Sequence, residues 1–250
     1  MLAILCVLAA ACGGSESDEP GPPVGDPVLP DLMPAPPRDV HTRRAQGGWF
    51  VSFSSILVNV GDGEFLLRAT RDGRGWRVEQ DIPYSTSGAD AVSIDAQLVW
   101  GGDGHEHWHI SRVATNRLVR LNEKDEPGAG ERRVDSKVGF CFFDFSRRLE
   151  GGPDERVHSR ESCGDEDDDA ISMGVSPGWQ DTYKWVLPGQ RISIDGLPDG
   201  TYRLWSEADE RGWFREVTRD NNLTWVNFEL STRADGVRTA LVVDVGPEPR

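Results

Sequence analysis

Gly101-Gly102-Asp103-Gly104-His105-Glu106-His107-Trp108-His109 is the stretch on which the reading of this chain turns. Three of the five histidines fall in it, at alternate positions. Successive side chains of a β-strand point to opposite faces, so a strand would set His105, His107 and His109 on one side. A helix would turn His107 away and leave His105-Glu106-x-x-His109, the zinc-hydrolase pattern in which two histidines one turn apart bind metal and the glutamate acts as base. Three glycines precede the histidines, and Leu98-Val99-Trp100 and Ile110-Ser111-Arg112-Val113 flank them with strand-forming residues. The strand reading agrees with its surroundings, and an exposed, tag-like cluster would not sit between two such runs. Converging imidazoles suit copper and zinc best, so the stretch is expected to be a transition-metal site.

Outward from it, short apolar runs alternate with turn residues. Trp49 to Phe53 and Ile56 to Val60 lead into Gly61-Asp62-Gly63, and Glu64 to Arg68 leads into Asp72-Gly73-Arg74-Gly75. Similar runs cover Ala96 to Trp100, His105 to Val113, Arg117 to Leu121, Lys137 to Phe145 and Arg191 to Asp195. Thr201 to Ser206, Thr224 to Leu230 and Val237 to Val245 complete the set. No apolar stripe of helical period outlasts about two turns. The pattern predicts an all-β sandwich with long loops and little helix. Two loops read as insertions, Asn122 to Arg133 and Arg147 to Ala170. The second carries Asp165-Glu166-Asp167-Asp168-Asp169, which lacks the spaced ligands and the glycine of a calcium loop and reads as a solvated surface.

The chain has 250 residues, room for one domain with a single core. Its net charge of −15 argues against nucleic acid or an anionic membrane surface as partner, and an acidic surface can concentrate cationic ligands such as amines. Met1 to Ala11 is a short apolar run ending on small residues, a secretory signal by its length. Cys12 follows directly, as in a bacterial lipoprotein lipobox, although no Lys or Arg precedes the apolar run. The expected organisation is therefore a signal peptide over 1–12, a Gly-, Pro- and acid-rich disordered tether over 13–39, and a folded domain over 40–250. Within the tether, Leu29 to Met33 is the first segment expected to dock on the fold. The only contact with a membrane would be a lipid on Cys12, in a bacterial envelope, facing the periplasm or the cell surface. Cys6 leaves with the signal and Cys12 takes the lipid, so Cys141 and Cys163 remain as an even pair outside the cytoplasm, where a disulfide is expected.

Downstream come Lys137-Val138-Gly139-Phe140-Cys141, then Gly174-Val175-Ser176-Pro177-Gly178-Trp179-Gln180-Asp181-Thr182-Tyr183, then Leu197-Pro198-Asp199-Gly200-Thr201-Tyr202, then Asp220-Asn221-Asn222. In order and spelling these resemble the catalytic domain of the lysyl oxidases, extracellular copper amine oxidases, over roughly Leu29 to Leu230. The resemblance implies that His105, His107 and His109 are copper ligands. It implies that Lys137 and Tyr183 join as lysine tyrosylquinone, and these belong to only three lysines and three tyrosines in the chain. It implies oxidation of primary amines, peptidyl lysine among them, to aldehydes with O₂, releasing ammonia and hydrogen peroxide. Asp181, two residues from Tyr183, would share its face on a strand and is the candidate general base. Cys141 and Cys163 fit a disulfide of the same family. Tyr202 reads as a core residue behind its turn. Where the animal enzymes carry further cysteines this chain has Gly104 and Trp179, so the pocket beside the tyrosine differs and the amine is open. Two other readings stand beside the oxidase. One is a non-catalytic copper-binding envelope module of the same fold; the other is a zinc hydrolase using the His-Glu-x-x-His letters.

Overall fold

The computed structural model describes residues 21–101, 106–128 and 133–250, with the backbone alone for 134–138. The signal run, Cys12, His105 and the side chain of Lys137 lie outside the described residues. The chain is all-β, about 54% strand and 2% helix, arranged as antiparallel sheets, none of which closes into a barrel among the described residues.

In chain order the strands begin with β1 (Leu32–Ala45), β2 (Gly48–Asn59), β3 (Phe65–Asp72), β4 (Gly75–Pro83) and β5 (Ala89–Ile94). Next are β6 (Leu98–Trp100), β7 (Trp108–Arg120), β8 (Arg133–Phe140), β9 (Ser146–Arg147) and β10 (Ala170–Val175). The last are β11 (Trp179–Tyr183), β12 (Arg191–Ser193), β13 (Gly200–Ala208), β14 (Leu223–Thr232) and β15 (Arg238–Val245). One sheet runs β1-β2-β11-β9 with β12 also on β2, a second runs β10-β3-β4-β5, and a third runs β15-β14-β13-β7-β6 with β8 also on β7. The alternation read in the sequence is plain in β13, where Tyr202, Leu204, Ser206 and Ala208 turn inward. β2 is instead buried on both faces over its second half, as a strand flanked by β1, β11 and β12 must be. The larger core gathers Phe65, Trp108, Ile110, Phe140, Phe142 and Tyr183. A second core gathers Phe53, Leu118, Tyr202, Leu204 and Phe228, and the Tyr202 hydroxyl donates to the Pro198 carbonyl at 2.7 Å, so this tyrosine is a core residue as expected.

The fold begins earlier than the sequence suggests. β1 starts at Leu32, inside the stretch read as tether, and Val24 and Pro27 already form bridges to Ser87 and Tyr84. Pro34, Pro36 and Pro37 disguise this strand. It lies at a sheet edge, where a missing N–H is tolerated, and its register with β2 shifts between Ala35 and Arg38, around the proline pair.

Candidate metal and tyrosine site

The strand expected over His105 to Val113 begins later: β7 opens at Trp108 and takes in His109, His107 sits in a bend just before it, and His105 lies outside the described residues. Among the described residues, Glu106 to His109 form no helix of the kind that the zinc-hydrolase pattern requires. His107 and His109 are both buried, their rings 4.6 Å apart between centroids. Trp108, between them, points into the larger core, stacks edge-on against Trp76 and Trp100, and donates its indole N–H to the Asp165 carbonyl at 2.8 Å. Arg71 covers the Trp76 and Trp108 rings and donates to the carbonyls of Glu166 and Asp168. The acidic loop thus serves the histidine strand through its backbone carbonyls.

β8 pairs with β7, Ile110 opposite Phe140 and Ala114 opposite Val138. Gly139 makes the close approach possible, because a Cβ there would meet the His109 Cβ at 3.1 Å and the Ile110 carbonyl at 3.3 Å. The strand that carries Lys137 therefore runs hard against the strand that carries His109.

Tyr183 comes from a different sheet. It ends β11, whose outward residues Gln180 and Thr182 alternate with buried Trp179, Asp181 and Tyr183. Its ring packs on Phe140 at 4.5 Å and edge-on to His109 at 6.0 Å, and its hydroxyl accepts the Cys141 N–H at 3.0 Å. Asp181 shares its face, but is fully buried and is not among the described residues that line the cavity beside the ring. Burial pushes the Asp181 carboxyl well above the usual carboxylate range, offset in part by the Thr182 N–H it accepts and reinforced by nearby Asp144. Asp144, also buried, accepts from the N–H groups of Val157, His158 and Ser176 and from the Ser176 hydroxyl, and so ties the long loop to the body.

That loop returns a short 3-10 turn (Arg160–Cys163) to the site. Cys163 and Cys141 are joined as a disulfide with 5.6 Å between Cα atoms, and Arg160 Nη2 lies 3.5 Å from His107 Nδ1. Together these segments enclose a cavity of about 350 Å³ that joins His107 to Tyr183 between walls of Phe143, Phe145 and Leu187. Among the described residues no three His, Cys, Asp or Glu side chains lie close enough to hold a metal. His107 and His109 form the described donor pair, and as imidazoles they fit copper or zinc.

A second polar cluster escaped the sequence reading. Asp31 accepts from Asn221 at 3.0 Å, and Glu216 accepts from Asn222 at 2.7 Å and from the Leu32 N–H at 3.0 Å. Asp31 Oδ1, Asn221 Oδ1 and Asn222 Oδ1 are buried without a hydrogen-bond partner. Burial raises both acids, Glu216 to about 7. An oxygen-only donor set of this kind could hold a hard divalent cation such as Ca²⁺. Asn221-Asn222 was the visible signal, but its partners lie far upstream in the chain. Compared with known proteins, the chain matches no protein-family model and no curated sequence.

Proposed function

We propose that the protein is a copper-dependent amine oxidase whose cofactor is a quinone made from its own Lys137 and Tyr183. The observation that carries this reading is the packing of the buried Tyr183 ring edge-on to His109, with His107 opening on the same cavity. The imidazoles and the oxidisable ring then lie together, and Lys137 is carried on the strand paired with the one that bears His109. His107 and His109, with His105, would hold the metal. When bound, copper with O₂ supplies the oxidation that turns the ring into a quinone, and the quinone accepts the two electrons of amine oxidation.

The rest falls to the chain itself. Tyr183 packs on Phe140, three residues along the chain from Lys137, and the proposed coupling requires the high effective concentration that such nearness in the fold would supply. The Cys141 N–H fixes the hydroxyl and hence the rotation of the ring. Phe140, Phe143 and Phe145 exclude water from the ring's surroundings. Net turnover balances as primary amine, O₂ and water to aldehyde, ammonia and hydrogen peroxide. A lipid on Cys12 would hold this chemistry in a bacterial envelope, facing the periplasm or the cell surface.

Peptide mapping by mass spectrometry after secreted expression, copper loading and exposure to air tests the reading. A species joining the Lys137 and Tyr183 peptides, absent without copper, is expected. Separate unmodified peptides from a folded, copper-loaded sample would overturn it and leave a metal-binding envelope module.

A further inference from the structure

We infer that the cavity beside Tyr183 selects primary amines that also carry a carboxylate, ω-amino acids rather than simple alkylamines or diamines, with Arg160 receiving the carboxylate and Lys184 assisting at the mouth. This rests on the amine-oxidase reading for its chemistry but not for its binding step.

The argument starts from a mismatch of charge. The chain as a whole carries −15, yet the charged residues among those described as lining this cavity are Arg160 and Lys184, with no Asp or Glu. A cavity built only for a cationic amine would carry the opposite sign. Both cations are exposed, and neither has a carboxylate within salt-bridge distance among the described residues. Lys184 only leans over the Phe145 ring at 5.2 Å, and the single described hydrogen-bond contact of Arg160 is the 3.5 Å approach to His107. A guanidinium with free donors is the side chain best shaped to take a carboxylate through two parallel bonds. Apart from His107 and Thr182, the rest of the lining around the Tyr183 ring is apolar, Phe143, Phe145 and Leu187, which suits a methylene chain.

Size points the same way. About 350 Å³ is near the lower end of the range of small-molecule sites, enough for one short aliphatic chain. The acidic exterior would draw in the ammonium end from a distance, and the local cations would then orient the molecule with its carboxylate on Arg160 and its amine toward the ring. Arg160 sits three residues from Cys163, so the disulfide fixes its position.

Calorimetric titration of the purified, metal-free protein with 6-aminohexanoate, hexanoate and hexylamine reads the binding step without turnover. Binding of 6-aminohexanoate at least about tenfold tighter than hexylamine is expected, since a charge-assisted bond is worth that much. Arg160→Gln should close that ratio to near one, Arg160→Lys should retain part of it, and Lys184→Gln should have the smaller effect, in variants whose melting curves show a folded protein. Peroxide release from the air-matured, copper-loaded enzyme with 4-aminobutanoate, 5-aminopentanoate and 6-aminohexanoate against the matching alkylamines should show the same preference in kcat/KM. Hexylamine binding as well as 6-aminohexanoate, or a ratio indifferent to Arg160→Gln, overturns the inference even if both amines are oxidised. If neither amine is oxidised the oxidase reading fails, and the titrations alone still decide whether the cavity prefers the carboxylate.

Discussion

Tyr183 carries two kinds of consequence in one hydroxyl. Tyr183→Phe leaves the buried Cys141 N–H without its acceptor, which should cost about 1–3 kcal/mol in a denaturant titration. The same change should abolish any redox-cycling quinone stain; a stain that survives would place the cofactor elsewhere. Asp181 gives a pH test with a definite sign. Its carboxyl is held above its ordinary value of 3.8, so folded and unfolded chains are both neutral there below about pH 4. As pH rises, the unfolded chain ionises first, and the stability this group confers at low pH is lost up to its folded value. Asp181→Asn should therefore gain in melting temperature relative to the parent as pH climbs from 4 toward neutral, whatever its offset at pH 4; parallel curves would show that Asp181 ionises normally in the fold. At this scale the sequence made the local backbone legible: His109 lies in a strand, and Asp181 and Tyr183 share a buried strand face. Asp31 and Asn221 stand 190 positions apart, so a contact made only by folding left no local trace.

Among the elements, the loop from Arg147 to Ala170 looks dispensable by composition and proves to be a brace. It brings Cys163 to Cys141, Arg160 to His107 and the Asp165 carbonyl to Trp108. The disulfide spans 22 positions, and replacing both cysteines by serine should cost about 3 kcal/mol on loop-closure grounds, seen as a lower melting temperature that reductant no longer shifts. A double variant as stable as the parent would mean that the Asp144 hydrogen bonds alone close the loop. Long strands with clean alternation, such as β13, were legible. β2 was read as two runs because Ser54 and Ser55 interrupt its apolar letters, though both are buried in the sheet and hydrogen-bonded, Ser54 to Asp39 and Ser55 to Gln190. β4 and β5 were missed because charged and polar residues break up their apolar letters, Arg77, Glu79, Gln80 and Asp81 in β4 and Asp90 and Ser93 in β5.

For the molecule as a whole, the absence of any long helical stripe was enough to give an all-β chain, but not to give three sheets or to find where the domain begins. Its start is held by the Asp31–Glu216 cluster, which clamps the head of β1 to the segment before β14. If a cation completes those three unpartnered oxygens, millimolar Ca²⁺ should add about 1–2 kcal/mol, a shift of a few degrees in melting temperature for sites of extracellular strength. Asn222→Leu should abolish the shift, and an unresponsive parent protein would remove Ca²⁺ from the account. One residue also sets a timetable. Cys141 is at once half of the covalent brace and the donor that aligns the tyrosine hydroxyl. A newly made chain still reduced would have Arg160 and the Tyr183 ring less firmly seated. Under the proposed function, sulfur oxidation would be the first event and ring oxidation the second, an order of maturation that would keep the precursor inert until it left a reducing compartment.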